Sequence, residues 1–324
     1  MCDVMRKEDI DLAVENNLGL NRDFYRSEPH TYIRHRLSNL MLVAARDEEL
    51  SQLLSQGVTF GFVSITPKEG AAVEYGEDQR ESAEQFVALE AEVLLHHATE
   101  TLLRLFMVHA GLPPCPWLEM SRLRSFRRFK EILQKRFIED SGEDRFSDVE
   151  SVFLGGPKLR DSLTEPPSEE EWAEAVRTVD QFLVRYAANL LDGAHLYNAA
   201  KHGLAVKPGE FGLTLGAKEN PIVNRHGMAL QYLEVIDDEW KKTVEWVETE
   251  TSLTYVWMAA ELMEQLWNVG RHRYTGEGGN KLNVWRENIL QVIDESTHKL
   301  MGDGPAVLKS MSENLLYYRA LEEE

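Results

Sequence analysis

The sequence predicts a mainly α protein: a helical bundle with a small inserted antiparallel β-sheet and a C-terminal helical extension. Long stretches with helical spacing of apolar residues occupy 83–110, 169–202 and 250–274. Such lengths far exceed an ordinary strand. Stretches rich in β-branched and aromatic residues are confined to 58–66 and 204–248. After 275 the pattern reads as shorter helices over 281–320. The domain layout follows: an N-terminal arm over 1–28, a helical part over 29–205 with one strand at 58–66, a β-hairpin or meander over 206–248, and C-terminal helices over 249–324.

Residues 1–28 are polar and read as an arm. The pattern from Thr31 to Gln56 reads as a helix closed by Gly57. VTFGFVSIT, 58–66, reads as one strand ending at Pro67, and EGAAVEYGEDQ as a loop. Ser82 and Gln85 have the spacing of a capping box at the start of the helix that ends before Gly111 and Pro113-Pro114. The stretch 121–136, SRLRSFRRFKEILQKR, carries seven basic residues and one acid, with Leu123, Phe126, Phe129, Leu133 and Phe137 at helical spacing as its buried side. Residues 139–167, broken by Gly and Pro, read as a connector. Ser168 and Glu171 form a second capping box, opening a helix to His202 with a bend near Gly193. LAVKPGEFGLTLG reads as a hairpin, and MALQYLEVID and KKTVEWVE as strands that join 58–66 in a small antiparallel sheet.

The net charge is −20. So acidic a surface repels nucleic acid at long range. The basic stretch 121–136 is the local exception, and its Arg124, Arg127 and Arg128 are the candidate RNA- or anion-binding residues. The longest apolar run near the start, LMLVAA at 40–45, is too short to span a bilayer, so no membrane contact is expected. Two cysteines, Cys2 and Cys115, make no disulfide framework, and no export signal is read at the start. Together these point to a reducing cytoplasm. No Walker motif, dinucleotide fingerprint, G-x-S-x-G or C-x-x-C pair occurs, and no cofactor is expected. Trp240, Trp246, Trp257, Trp267 and Trp285 crowd the C-terminal third, where core or interface packing accounts for them. RHRYTGEGGN, 271–280, reads as a helix end and loop.

The chemistry-bearing residues gather on two helices. At about 100° per residue, Val184, Leu191, His195, Asn198 and His202 fall in one stripe, so two His and one Asn continue an apolar face. Polar side chains there need hydrogen-bond partners. On the helix ending at Ala110, His97, Glu100, Thr101 and Arg104 share a stripe, with Glu100 and Arg104 at pairing distance along the helix. Turned inward, this stripe is a candidate partner set; turned outward, it is the wet side of an apolar helix. Asp192, His195 and His202 are the alternative metal ligands, since helix cores host carboxylate–histidine sites, although only one Asp-x-x-His pair is present.

YNAAKH, 197–202, resembles the R-N-x-x-x-H motif of the HEPN superfamily, small helical bundles that include metal-independent ribonucleases. Asn198 and His202 match the motif, and the resemblance covers 30–205. It implies His202 as general base, Asn198 as the positioning group, and a site built across a homodimer. The family's arginine falls at Tyr197, which carries no positive charge; Lys201 or Arg104 would have to replace it, with Glu100 beside Arg104. The resemblance therefore implies the bundle more than the activity. The expected role is protein interaction, with a partner protein or a second copy, in stress or defence; the alternatives are a metal-independent endoribonuclease using His202, with RNA on 121–136, and a metal-binding helical enzyme.

Overall fold

The computed structural model describes residues 14–45, 58–60, 63–65, 77–140, 142–201, 205–217, 220–236, 238–278 and 309–314. The described chain is mainly helical with a small four-stranded antiparallel sheet. In chain order the elements are α1 (Val14–Tyr25), α2 (Pro29–Ala44), β1 (Val58–Phe60), β2 (Val63–Ile65), α3 (Glu77–Ala110), α4 (Pro116–Arg122), α5 (Phe126–Leu133) running into a π-helical turn (Gln134–Glu139), α6 (Glu143–Phe153), α7 (Pro157–Ser162), α8 (Glu169–Asp192), α9 (Ala194–Lys201), β3 (Val206–Ala217), β4 (Asn220–Ile236), β5 (Glu239–Trp246), α10 (Thr249–Thr275) and β6 (Ser310–Asn314).

Two compact units divide the chain, each drawing on three segments. The first takes its described residues from 1–33, 97–192 and 258–291. Its core holds Phe106, Phe129, Leu133, Phe153, Phe182, Tyr186 and Trp267. α8 packs on α6 and on the π-helical turn. Arg145 on α6 reaches Asp180 on α8 with two nitrogens, both side chains nearly inaccessible, and also donates to the Arg136 carbonyl at 2.6 Å. Trp172 donates to Glu150 at 2.7 Å. The capping box at the head of α8 forms in both directions: the Ser168 N–H donates to Glu171 at 2.9 Å, and the Glu171 N–H to the Ser168 hydroxyl at 3.2 Å.

The second unit takes its described residues from 34–96, 193–257 and 292–324. Its sheet has the order β3-β4-β5-β6. One face carries Val206, Leu230 and Tyr232 against Ala88 of α3 and Leu196 of α9; the other gathers Ala229, Val244 and Trp246 with Phe211, Leu213 and Met311. β1 and β2 form a separate two-stranded sheet.

Several expectations are corrected. The segment before Ser27 is not merely a polar arm: α1 buries Asn21 and Tyr25. The single strand at 58–66 is two short antiparallel strands, apart from the larger sheet. α3 begins at Glu77, so Ser82 caps nothing, and Gln85 donates instead to Glu81 at 2.8 Å. The connector 139–167 contains α6 and α7. LAVKPGEFGLTLG is not a hairpin; its residues from Val206 form β3, with Pro208 opposite Leu230 and Gly209 opposite Ala229. Within 281–320, the described residues 310–314 are the edge strand β6, not helix. Trp246 and Trp267 are buried, whereas Trp240 and Trp257 are exposed. The end of the 31–56 helix, Trp285 and most of 281–320 lie outside the described residues.

Candidate functional site

α8 and α9 meet at Gly193, where the chain turns before Ala194 restarts the helix. The expected apolar stripe through Val184, Leu191, His195 and Asn198 is corrected: Val184 and Leu191 are only half-buried, His195, Asn198 and Asp192 are exposed, and the buried residues of α9 are Ala194 and Leu196. Leu196, with Ala199 and Ala200 beside it, anchors α9 to the sheet of the second unit. Tyr197 lies flat on His96 of α3, ring centroids 3.8 Å apart and planes within 13°. A neutral phenol ring thus occupies the position that the resemblance assigns to an arginine. Lys201 is the last residue of α9, and His202 lies outside the described residues.

In the first unit, Arg104 and Glu100 are brought together. The Arg104 Nε donates to Glu100 Oε1 at 2.8 Å and its Nη2 stands 2.7 Å from the same oxygen. Its Nη1 donates to the Leu123 carbonyl, and its guanidinium lies 4.2 Å from the Phe129 ring centre. The stripe of His97, Glu100, Thr101 and Arg104 is half-buried rather than wet. Tyr32 meets His97 edge-on, with centroids 5.9 Å apart. Arg104, braced by Glu100 on its own helix, thus ties α3 to the end of α4 and to α5.

The basic stretch supplies α4, α5 and the π-helical turn. Of the expected buried side, Phe129, Leu133 and Phe137 are buried, whereas Leu123 and Phe126, at the break between α4 and α5, are only half-buried. Ser125 caps α5, accepting from the Arg128 N–H at 3.3 Å. Arg124, Arg127 and Arg128 are exposed. Arg124 donates to the Ser121 carbonyl at 2.8 Å, and Arg127 stands 3.3 Å from Glu131. Among the described residues, no group of three His, Cys, Asp or Glu is arranged to hold a metal ion. No described helix is long and apolar enough to cross a membrane.

The most strongly perturbed groups were not singled out by the sequence. His109, in the last turn of α3, is 2% exposed. Its Nδ1 lies 2.6 Å from the Leu105 carbonyl, which can only accept, so Nδ1 carries the proton. Its Nε2 then accepts from the Tyr25 hydroxyl at 2.6 Å. Burial, more than the neighbouring Arg273, lowers the imidazole to about 4. Burial also pushes the Tyr25 phenol far up, and Tyr274, 6.0 Å away in a stacked pair, up to about 12. In the second unit, burial raises the Glu92 carboxyl, which accepts from the Ser252 hydroxyl. His109 and Tyr25 consume each other's hydrogen-bonding capacity, so they form a core pair rather than an acid and base open to substrate. A helix-ending His on α3 and an aromatic pair, Phe24-Tyr25, were visible in the sequence; their meeting 84 residues apart was not.

Comparison of the chain with protein-family models, curated proteins and solved structures finds no match.

Proposed function

We propose that this is a HEPN-like helical-bundle protein with a C-terminal helical extension that acts by binding another protein rather than by cleaving RNA. The carrying observation is the neutral Tyr197 ring stacked on His96 where a phosphate-stabilising cation would be required. The substitute, Arg104, is spent on Glu100, Leu123 and Phe129. The contact face is that of Arg124, Arg127 and Arg128, a basic island on a chain of net charge −20. Its partner is an acidic protein surface, and a second copy of this chain is the first such surface to test.

The test is light scattering on gel-filtered protein at low and high salt, beside the triple variant Arg124→Glu, Arg127→Glu, Arg128→Glu. The expected result is a mass twice the 37.1 kDa of the chain at low salt. It should fall to one copy at high salt, because screening weakens exposed charge pairs, and in the variant at any salt. A strict monomer that also captures no acidic protein in a pull-down would sink the reading.

The exposure of Asn198 favours a second reading, a metal-independent endoribonuclease with His202 as base, Asn198 positioning the substrate and Lys201 binding phosphate. Cleavage of structured RNA that survives EDTA and disappears in His202→Ala would establish it and displace the first.

A further inference from the structure

Among the described residues, Asn21, Arg22, Phe24 and Tyr25 of α1 contact the rest of the first unit, and one of these contacts depends on a proton. Asn21 donates to the Pro114 carbonyl at 3.0 Å. Phe24 packs on Trp267, centroids 4.9 Å apart, and on Trp117 at 6.2 Å. Arg22 stands 3.4 Å from Glu277, both exposed. Tyr25 is the deepest contact. Its ring packs on Trp267 and Tyr274, and its hydroxyl reaches past the bare backbone of Gly270, where a Cβ would lie 2.5 Å from that oxygen. The hydroxyl ends on His109 Nε2.

The hydrogen-bond chain has one direction. The Leu105 carbonyl fixes the imidazole proton on Nδ1, so Nε2 offers its lone pair, and Tyr25 must donate. A proton added to Nε2 removes that acceptor, puts two donors face to face and places a cation in a closed pocket. The other titratable and charged groups around the pair do not compensate it. Tyr274 and Arg273 approach from α10 and Cys115 from the N-cap of α4. Arg273, which donates to the Ser151 carbonyl at 2.9 Å, is itself a cation and opposes a second one nearby. Among these groups no carboxylate faces His109.

The geometry points to α1 as a proton-released clasp: protonation of His109 expels Tyr25 and lets α1 detach from the rest of the first unit, exposing the aromatic surface of Trp267 and Tyr274. The closed state resists protonation to about pH 4, whereas a solvated imidazole titrates near 6.5. Acidification therefore favours the open state between those values. From these two values, the opening equilibrium rises about 30-fold between pH 7.5 and pH 5.

Hydrogen exchange of the full chain, read by mass spectrometry peptide by peptide and corrected for the intrinsic pH dependence of exchange, tests this. The α1 peptide should lose about 30-fold protection at pH 5, and at both pH values it should exchange faster than peptides of α8, because α1 opens while α8 stays folded. In His109→Gln, whose side-chain carbonyl still accepts but does not titrate, the α1 peptide should show no such pH step. Equal protection of α1 and α8 at both pH values, no change in α1, or the same step in the variant would overturn the clasp. Nitrogen NMR of the histidine rings gives a second reading that does not depend on the variant folding. At pH 7.5 the wild-type His109 should carry its proton on Nδ1; a ring protonated on Nε2 would also overturn the proposal.

Discussion

Arg145 and Asp180 carry opposite charges into the interior of the first unit, where their side chains are 6% and 7% exposed. The two-pronged contact and the extra bond to the Arg136 carbonyl satisfy most of the guanidinium. Removing one partner strands the other, so Asp180→Ala should cost about 3–5 kcal/mol in urea unfolding. Replacing both, by Arg145→Met with Asp180→Leu, should cost clearly less than the single change, because no charge is left buried. Gly270 gives a prediction of opposite sign to helix propensity. Glycine inside a helix is about 1 kcal/mol worse than alanine, so Gly270→Ala would ordinarily stabilise α10. Here the new methyl meets the Tyr25 hydroxyl at 2.5 Å and ring carbons at 3.1 Å, and Tyr25 is 2% exposed with no room to retreat. A loss of about 1–3 kcal/mol is expected from overpacking, seen as a lowered melting temperature. Neither effect was legible in the sequence: the residues are ordinary, and only the fold brings them to their partners.

At the scale of elements, legibility depended on whether the signal was local. The Ser168–Glu171 box was read correctly because both bonds close within four residues. Ser168→Ala should cost about 1 kcal/mol, measurable as a shift in urea midpoint with unchanged slope. The same four-residue pattern at Ser82 misled, because α3 already runs from Glu77. What precedes a box decides whether it starts a helix. Pro208-Gly209 looked like a turn, yet it lies inside β3. β3 is at the sheet edge, where a missing backbone N–H is tolerated. The stripe through His195 and Asn198 failed because the buried face of α8 runs through Leu183, Ala187 and Leu190, beside Val184 and Leu191 rather than through them. Phe129, Leu133 and Phe137 were legible because their apolar spacing is carried without a chain break, whereas Leu123 lies in the break before α5 and stays half-buried.

Across the whole molecule, two buried titratable groups set opposite pH responses in the two units. His109, in the first unit, has a depressed value, about 4 against 6.5 when solvated. Between those values the unfolded chain holds a proton that the folded one refuses. The stability it contributes is complete above about pH 6.5 and is lost as the pH falls toward 4, a change of about 3 kcal/mol. Glu92, in the second unit, is shifted upward. Its folded carboxyl keeps a proton that the unfolded chain releases above 4.5, so its contribution is complete at low pH and is lost as the pH rises. Glu92→Gln keeps an oxygen to accept from Ser252 and removes the ionisation. The variant should therefore be more stable than the wild-type chain at pH 8, with the gain shrinking toward pH 4. His109→Gln should flatten the acid side of the profile and leave the alkaline side unchanged. Urea midpoints of the three proteins from pH 4 to 8 check both expectations. A gain over the wild-type chain that is no larger at pH 8 than at pH 4 would mean that the Glu92 carboxyl ionises freely in the folded chain.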